Sequence, residues 1–208
     1  MSSRIKFCGC TSPADAQLAR DAGADAFGLI FAPSPRRISW ESAREIAAGR
    51  PAGITPAGVF VNPAIGDIER FRSLFPDGIV QLSGDETPEF VAAVQGSVIK
   101  VVHIEGQTPQ DLEAVCNRYA PALVMFDTKA ASAYGGTGTT FAWENVAAYA
   151  RWHPVFVAGG LTPENVGDCV RSVRPFGVDV RSGIESDGRK DVEKMRRFVR
   201  AVRESDAT

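Results

Sequence analysis

Eight short apolar runs punctuate this chain at nearly even intervals, and helical periodicity fills the gaps between them. The runs are IKFC (5–8), AFGLIF (26–31), AGVFV (57–61), GIVQL (78–82), VIKVVHI (98–104), ALVMFD (122–127), PVFVA (154–158) and GVDV (177–180). Each is strand-sized and apolar at most consecutive positions, as expected of a strand buried on both faces in a parallel sheet. Between them, residues 13–22 place Ala14, Leu18, Ala19 and Ala22 on one helical face, with Ser12 as N-cap, Pro13 at the first turn and Gly23 past the end. Residues 162–173 repeat the device: Thr162 and Pro163 open a helix whose Val166, Cys169, Val170 and Val173 share a face, and Cys169 reads as core. Residues 189–203 put Val192, Met195, Phe198, Val199 and Val202 on one side and basic residues on the solvated side. Eight strands alternating with helices predict a closed parallel (β/α)8 barrel, the TIM-barrel architecture, in one domain spanning 1–208. A doubly wound open sheet is the rival fold, but it more often uses five or six strands, and no G-x-G-x-x-G follows the first run.

Composition narrows the function classes. The chain has 208 residues, 44% hydrophobic and 23% charged, enough to bury a full core. Its 23 basic and 25 acidic residues leave a formal charge of −2, so no global field favours nucleic acid or an anionic membrane. No run reaches membrane-spanning length and the N-terminal MSSRIKF carries no apolar signal core, which leads to an expectation of a cytoplasmic protein with no obligate protein partner. In that compartment Cys8, Cys10, Cys116 and Cys169 are expected to stay reduced. A metal is not expected either, because Cys8 and Cys10 lack a second close pair and the two histidines, His103 and His153, stand far apart in sequence. For Cys8 the residues leave two readings, a functional thiol and a packed one.

A barrel would place Cys8 on the rim where active sites are built, together with the other strand ends. These are 32–37, Asn62, Ser83, 103–105, Asp127, 158–160 and 181–183. The longer connections, 32–40 and 128–141, open on the same rim. Two strand ends suit a phosphate. AGGLTPENV sets Gly159 and Gly160 just before a helix N-terminus, and Arg181, Ser182 and Gly183 offer backbone and hydroxyl donors after the eighth strand. The expected partner is therefore a small phosphorylated molecule.

Taken together, IKFCGCT, GADAFGLIF with SPRRIS, GVFVN, VQLSGDE, VMFDTK, GGTGTTFAW, AGGLTPENV and GVDVRSGIE resemble the phosphoribosylanthranilate isomerase family, in the family's order from about residue 4 to residue 192. The resemblance implies a cofactor-free Amadori rearrangement in tryptophan biosynthesis, with Cys8 as general base and Asp127 as general acid. It assigns Arg36 to the anthranilate carboxylate, although Arg37 stands where an aromatic residue is expected and either guanidinium suits the task. Asp179, facing into the barrel, is a candidate for a ribose hydroxyl and equally for a structural contact. Cys10 replaces an aliphatic residue of the family and reads as packing.

The chain also departs from the family pattern. Ser83 stands where histidine is frequent, Thr139 and Ala142 where lysine and aspartate are frequent, and Arg181 replaces a first serine. Two other function classes fit the residues less well: a catalytically idle barrel that senses a phosphorylated metabolite, and a different phosphate-handling barrel enzyme, such as an indole-forming relative or a sugar-phosphate epimerase, for whose metal only His103 is suitably placed.

Overall fold

A computed structural model describes residues 2–104, 107–120, 122–128 and 138–207, with the side chains of residues 128 and 138–142 left out of the description. The first half of the chain runs β1 (Arg4–Phe7), α1 (Pro13–Ala22), β2 (Ala26–Ile30), α2 (Trp40–Gly49), β3 (Thr55–Phe60), α3 (Ile65–Leu74), β4 (Ile79–Leu82) and α4 (Pro88–Ala93). The second half runs β5 (Val98–Ile104), α5 (Pro109–Asn117), β6 (Leu123–Thr128), α6 (Gly138–Ala150), β7 (Val155–Ala158), α7 (Val166–Val173) and β8 (Gly177–Val180). A 3₁₀ turn (Ser182–Ile184) and a short hairpin, β9 (Glu185–Ser186) with β10 (Arg189–Lys190), then lead into α8 (Val192–Asp206). β1 to β8 pair in sequence order, all parallel, and β8 returns to β1 with Lys6 opposite Asp179 and Phe7 opposite Val180. This is the closed eight-stranded barrel that the alternating runs predict.

The core divides into two layers because every barrel strand is buried on both faces. Outward-facing Ile5, Phe7, Phe27, Leu29, Val80, Leu82 and Val178 meet the helices in one large apolar layer. Inside the barrel, Ile99, Val101, Met125, Phe156 and Ala158 pack together, and toward the rim Cys8, Ile30, Ala32 and Val59 form a separate small cluster. α8 closes the ring of helices: Phe198 meets Phe7 edge-on at 6.0 Å, and Asp206 takes hydrogen bonds from Ser3 N at 2.9 Å and Ser3 Oγ at 2.7 Å. Both ends of the described chain are thereby fixed to the base of β1.

Helix punctuation mostly follows the local chemistry. Ser12 Oγ accepts from Asp15 N at 3.2 Å, and Gly23, at φ 97°, ends α1 in the left-handed conformation. Two helix starts come later than the sequence predicts. α7 begins at Val166 instead of 162, because the Asn165 side chain accepts from Thr162 N at 2.8 Å and donates to Gly160 O at 3.0 Å, folding 162–165 into a turn. α8 begins at Val192 because residues 189–190 are taken into the hairpin, and Asp191 caps the helix through Glu193 N and Lys194 N. Among the described residues no helix is long and apolar enough to cross a membrane.

Candidate active site

Cys8 follows β1 directly, so its position is fixed by the strand ladder: its N–H donates to Val180 O at 2.8 Å, and its carbonyl oxygen accepts from Lys190 Nζ at 2.5 Å. Its side chain lies in the rim cluster, 6% exposed. Two residues earlier on the same strand face, Lys6 is wholly buried and its ammonium lies 2.7 Å from Asp179 Oδ1. Gly28 of β2 makes room for this arrangement. A Cβ there would lie 2.9 Å from Cys8 Sγ and 3.1 Å from Lys6 Nζ, so the thiol and the ammonium converge on the space that glycine leaves. Burial pushes the Cys8 thiol up. Lys6 is the largest influence pulling it back; Asp179 adds to the rise, and Lys190 and Arg181 oppose it. Burial also pulls the Lys6 ammonium down, but Asp179 and Cys8 together outweigh it and hold the lysine above its ordinary value.

Cys10 is a different kind of thiol. It is fully buried in the apolar layer behind the strand, with Sγ 3.8 Å from Phe7 O, and burial pushes it up to about 12. A thiol that high, without solvent access, is inert as a nucleophile or base near neutrality.

Asp127 is the penultimate residue of β6, half-buried, in register with His103 of β5 and Ala158 of β7. β7 and β8 stand between it and β1 on the shorter way round the barrel, which sets Asp127 and Cys8 across the mouth from each other. The imidazole that Ser83 lacks is present one strand away, where His103 Nε2 lies 3.4 Å from Ser83 O. Below it Gln81, 5% exposed, donates from Nε2 to Ser83 Oγ at 3.2 Å, while its Oε1 is buried without a partner among the described residues. Thr139 and Ala142 lie outside the residues whose side chains are described, as does the whole 128–141 connection.

The two phosphate candidates form one continuous surface. Gly159 and Gly160 turn with φ of 88° and 64°. Gly183 packs directly against the loop that follows them: a Cβ at this position would fall 2.0 Å from Leu161 O, a distance no side chain tolerates. Ser182 and Gly183 therefore sit alongside the Gly159–Gly160 turn because residue 183 has no side chain. Arg181 is exposed and directs its aliphatic arm across β1, with Cγ 3.4 Å from where a Cβ on Gly9 would stand. From there it adds positive charge near Cys8.

Arg36 is engaged by a buried carboxylate. It grips Glu185 with two donors, Nε to Oε1 at 2.9 Å and Nη2 to Oε2. Glu185 also accepts from Lys190 Nζ at 2.9 Å, and its side chain is 5% exposed. Burial raises this carboxyl, but Arg36 and Lys190 together hold it below the ordinary glutamate range. Arg37 points elsewhere, lining a cavity of about 610 Å³ with Phe31, Trp40, Phe60 and Asn62.

Sequence reasoning placed Cys8, Asp127, Asp179, Gly159, Gly160, Arg181, Ser182, Gly183 and Arg36 at strand ends, and the fold brings all of them to one rim. It missed Lys6, Glu185, Lys190 and Gln81. A period-two reading of IKFC would have set Lys6 on the same face as Cys8. Nothing in the sequence announced that β8 would bring Asp179 opposite it.

The chain is similar to known proteins over nearly its whole length. A sequence profile of the family described as N-(5'phosphoribosyl)anthranilate (PRA) isomerase matches residues 5–201. The N-(5'-phosphoribosyl)anthranilate isomerase of Geobacter metallireducens is 43% identical over 202 residues, covering 96% of this chain and 98% of that protein. The crystal structure of phosphoribosyl anthranilate isomerase from Thermotoga maritima superposes with a TM-score of 0.85 at 37% identity, covering 97% of this chain and 99% of the other. A second phosphoribosyl anthranilate isomerase structure, in complex with reduced 1-(o-carboxyphenylamino)-1-deoxyribulose 5-phosphate, superposes at 0.83 with 34% identity, covering 97% and 99%.

Proposed function

This chain belongs to the N-(5'-phosphoribosyl)anthranilate isomerase family, and from that membership we propose that Cys8 and Asp127 are the base and the acid of its reaction. The protein is an isomerase of tryptophan biosynthesis that converts N-(5'-phosphoribosyl)anthranilate into 1-(o-carboxyphenylamino)-1-deoxyribulose 5-phosphate. The conversion moves protons and electron pairs within one molecule and needs no external oxidant. Asp127 donates a proton to the furanose ring oxygen; the C1′–O bond breaks as the anthranilate nitrogen lone pair forms the C1′ iminium. The Cys8 thiolate then takes the C2′ proton, whose bonding pair becomes the C1′–C2′ double bond of an enol amine. Protonation at C1′ and loss of the C2′ hydroxyl proton give the ketone.

The single observation that best supports this reading is the placement of a buried thiol and a half-buried carboxyl across one barrel mouth, with the Gly159–Gly160 turn and the Ser182–Gly183 turn packed together between them. Phosphate bound at those turns by backbone N–H groups, Ser182 Oγ and Arg181 would fix one end of the substrate. Arg36, oriented by Glu185, would meet the anthranilate carboxylate at the other end. The Asp179 oxygen not engaged by Lys6 would accept from a ribose hydroxyl. A reaction on such a metabolite suits the cytoplasm.

The test is an assay on freshly generated N-(5'-phosphoribosyl)anthranilate, followed by loss of substrate fluorescence. Purified protein should turn it over without added cofactor. Asp127→Asn should lower kcat by roughly 10²–10⁴, the usual range for losing a positioned acid, with the fold intact. A folded Asp127→Asn variant with normal turnover would remove the acid from this scheme.

A further inference from the structure

Lys6 occupies a place where a lysine is seldom found: it is wholly enclosed in the barrel interior, which is lined largely by apolar side chains such as Ile99, Val101, Met125 and Phe156. A buried ammonium persists only beside an anion, and the one it touches is Asp179, at 2.7 Å. Stability alone does not call for the pair, since apolar residues of similar volume commonly serve a core as well or better. What sets it apart is its neighbour. Gly28 leaves a gap in β2, and Lys6 Nζ and Cys8 Sγ both come within about 3 Å of the same point in it.

We propose that Lys6 is a positioning residue for Cys8, supplying the buried positive charge against which the sulfur ionises, with Asp179 holding that charge in place. The proposal rests on Cys8 being the base. In a desolvated rim cluster of Cys8, Ile30, Ala32 and Val59, a thiolate has little water to stabilise it, so a fixed cation has a large effect on whether it forms. Asp179 has a double role: it keeps the ammonium charged and in place, and its own negative charge opposes the thiolate.

The charged groups around Cys8 come from several elements. β1 contributes Lys6, β8 contributes Asp179, Arg181 follows β8, and the hairpin contributes Lys190 with its partner Glu185. The loop after β2 sends Arg36 over Gly9, while β2 itself presents Gly28 and Ile30, neither of which titrates. Lys190 is already tied to Glu185 and the Cys8 carbonyl, and Arg181 is exposed to solvent and its screening. Lys6 is the cation among them that is both fully desolvated and adjacent to the sulfur.

The experiment reads the thiol directly. The pH dependence of Cys8 carboxamidomethylation by iodoacetamide, followed by mass spectrometry of the Cys8 peptide, is compared for the wild type and Lys6→Met. The midpoint should rise by about one pH unit or more, slowing alkylation at pH 7 about tenfold. Because Lys6→Met strands a buried carboxylate, the same comparison is made between the wild type and the Lys6→Met/Asp179→Asn double variant, where the midpoint should again rise because the lysine acts on the thiol more strongly than the aspartate opposes it. An unmoved midpoint in a folded Lys6→Met, or in the double variant against the wild type, would overturn the proposal. The readout does not depend on catalysis: a shifted midpoint alongside a fully active Cys8→Ser would leave the coupling intact and discard the assignment of Cys8 as base.

Discussion

Lys190 donates its ammonium to the main-chain oxygen of Cys8 at 2.5 Å, across 182 positions of sequence. The same ammonium holds Glu185, and Glu185 holds Arg36. One buried carboxylate thus joins the residue proposed to grip the substrate's aromatic end to the strand end that carries the proposed base. The β9–β10 hairpin, whose second strand the sequence reading absorbed into the last helix, is the element that makes this connection.

The pH dependence of stability should expose that joint. Glu185 and Glu86 both have carboxyls held below the ordinary glutamate range, Glu86 by Lys100 and the Asn62 N–H against the opposing effect of burial. A carboxyl lowered on folding stabilises fully above its unfolded pKa of about 4.5, and that contribution is lost as pH falls through the folded value. The thermal midpoint should therefore fall steeply below about pH 4.5. Glu185→Gln should have a lower midpoint at pH 7 and a shallower acid slope than the wild type. An acid slope unchanged by the substitution would show that Glu185 is not coupled to folding.

Arg36 and Arg37 are separable by kinetics. Arg36→Ala should raise KM by roughly tenfold or more with the chemical step less affected, since a charge-assisted bidentate contact contributes about 1.5–3 kcal/mol. Arg37→Ala should leave KM within a few-fold. The reverse pattern would move the carboxylate to the Arg37 cavity and reduce Arg36 to a structural partner of Glu185.

Much of this fold was readable from sequence because parallel strands buried on both faces leave continuous apolar runs, and seven helices are bounded by strands so marked. Cys8 and Asp127 were legible for the same reason: they end such runs. What escaped the reading depends on contacts between distant segments. Lys6 looks like any polar residue in IKFC until β8 supplies Asp179, and Asn165 looks like an ordinary helical residue until its side chain folds back onto Gly160. Lys190 lies in a segment whose basic residues suggested only a solvated helix face, and Glu185 lies just before it.

The glycine at 183 carries a steric prediction. Gly183→Ala places a methyl group 2.0 Å from Leu161 O, so the turn after β8 must retreat from the turn after β7. Overpacking of this kind costs about 1–3 kcal/mol, and the retreat should also weaken phosphate binding. Isothermal titration with ribulose 5-phosphate should show at least a tenfold loss of affinity in the folded variant. Unchanged affinity would place the phosphate elsewhere on the rim.

The account depends most on the contrast between two cysteines one residue apart. Cys8→Ser keeps nearly the same shape while replacing an ionisable thiol with a hydroxyl that hardly ionises, so kcat on N-(5'-phosphoribosyl)anthranilate should fall by roughly 10²–10⁴ with thermal stability little changed. Cys10→Ser alters a thiol packed behind the strand, so it should lower stability modestly and leave kcat within a few-fold of the wild type. A well-folded Cys8→Ser enzyme that turns over as fast as the wild type would contradict the assignment of Cys8 as the base.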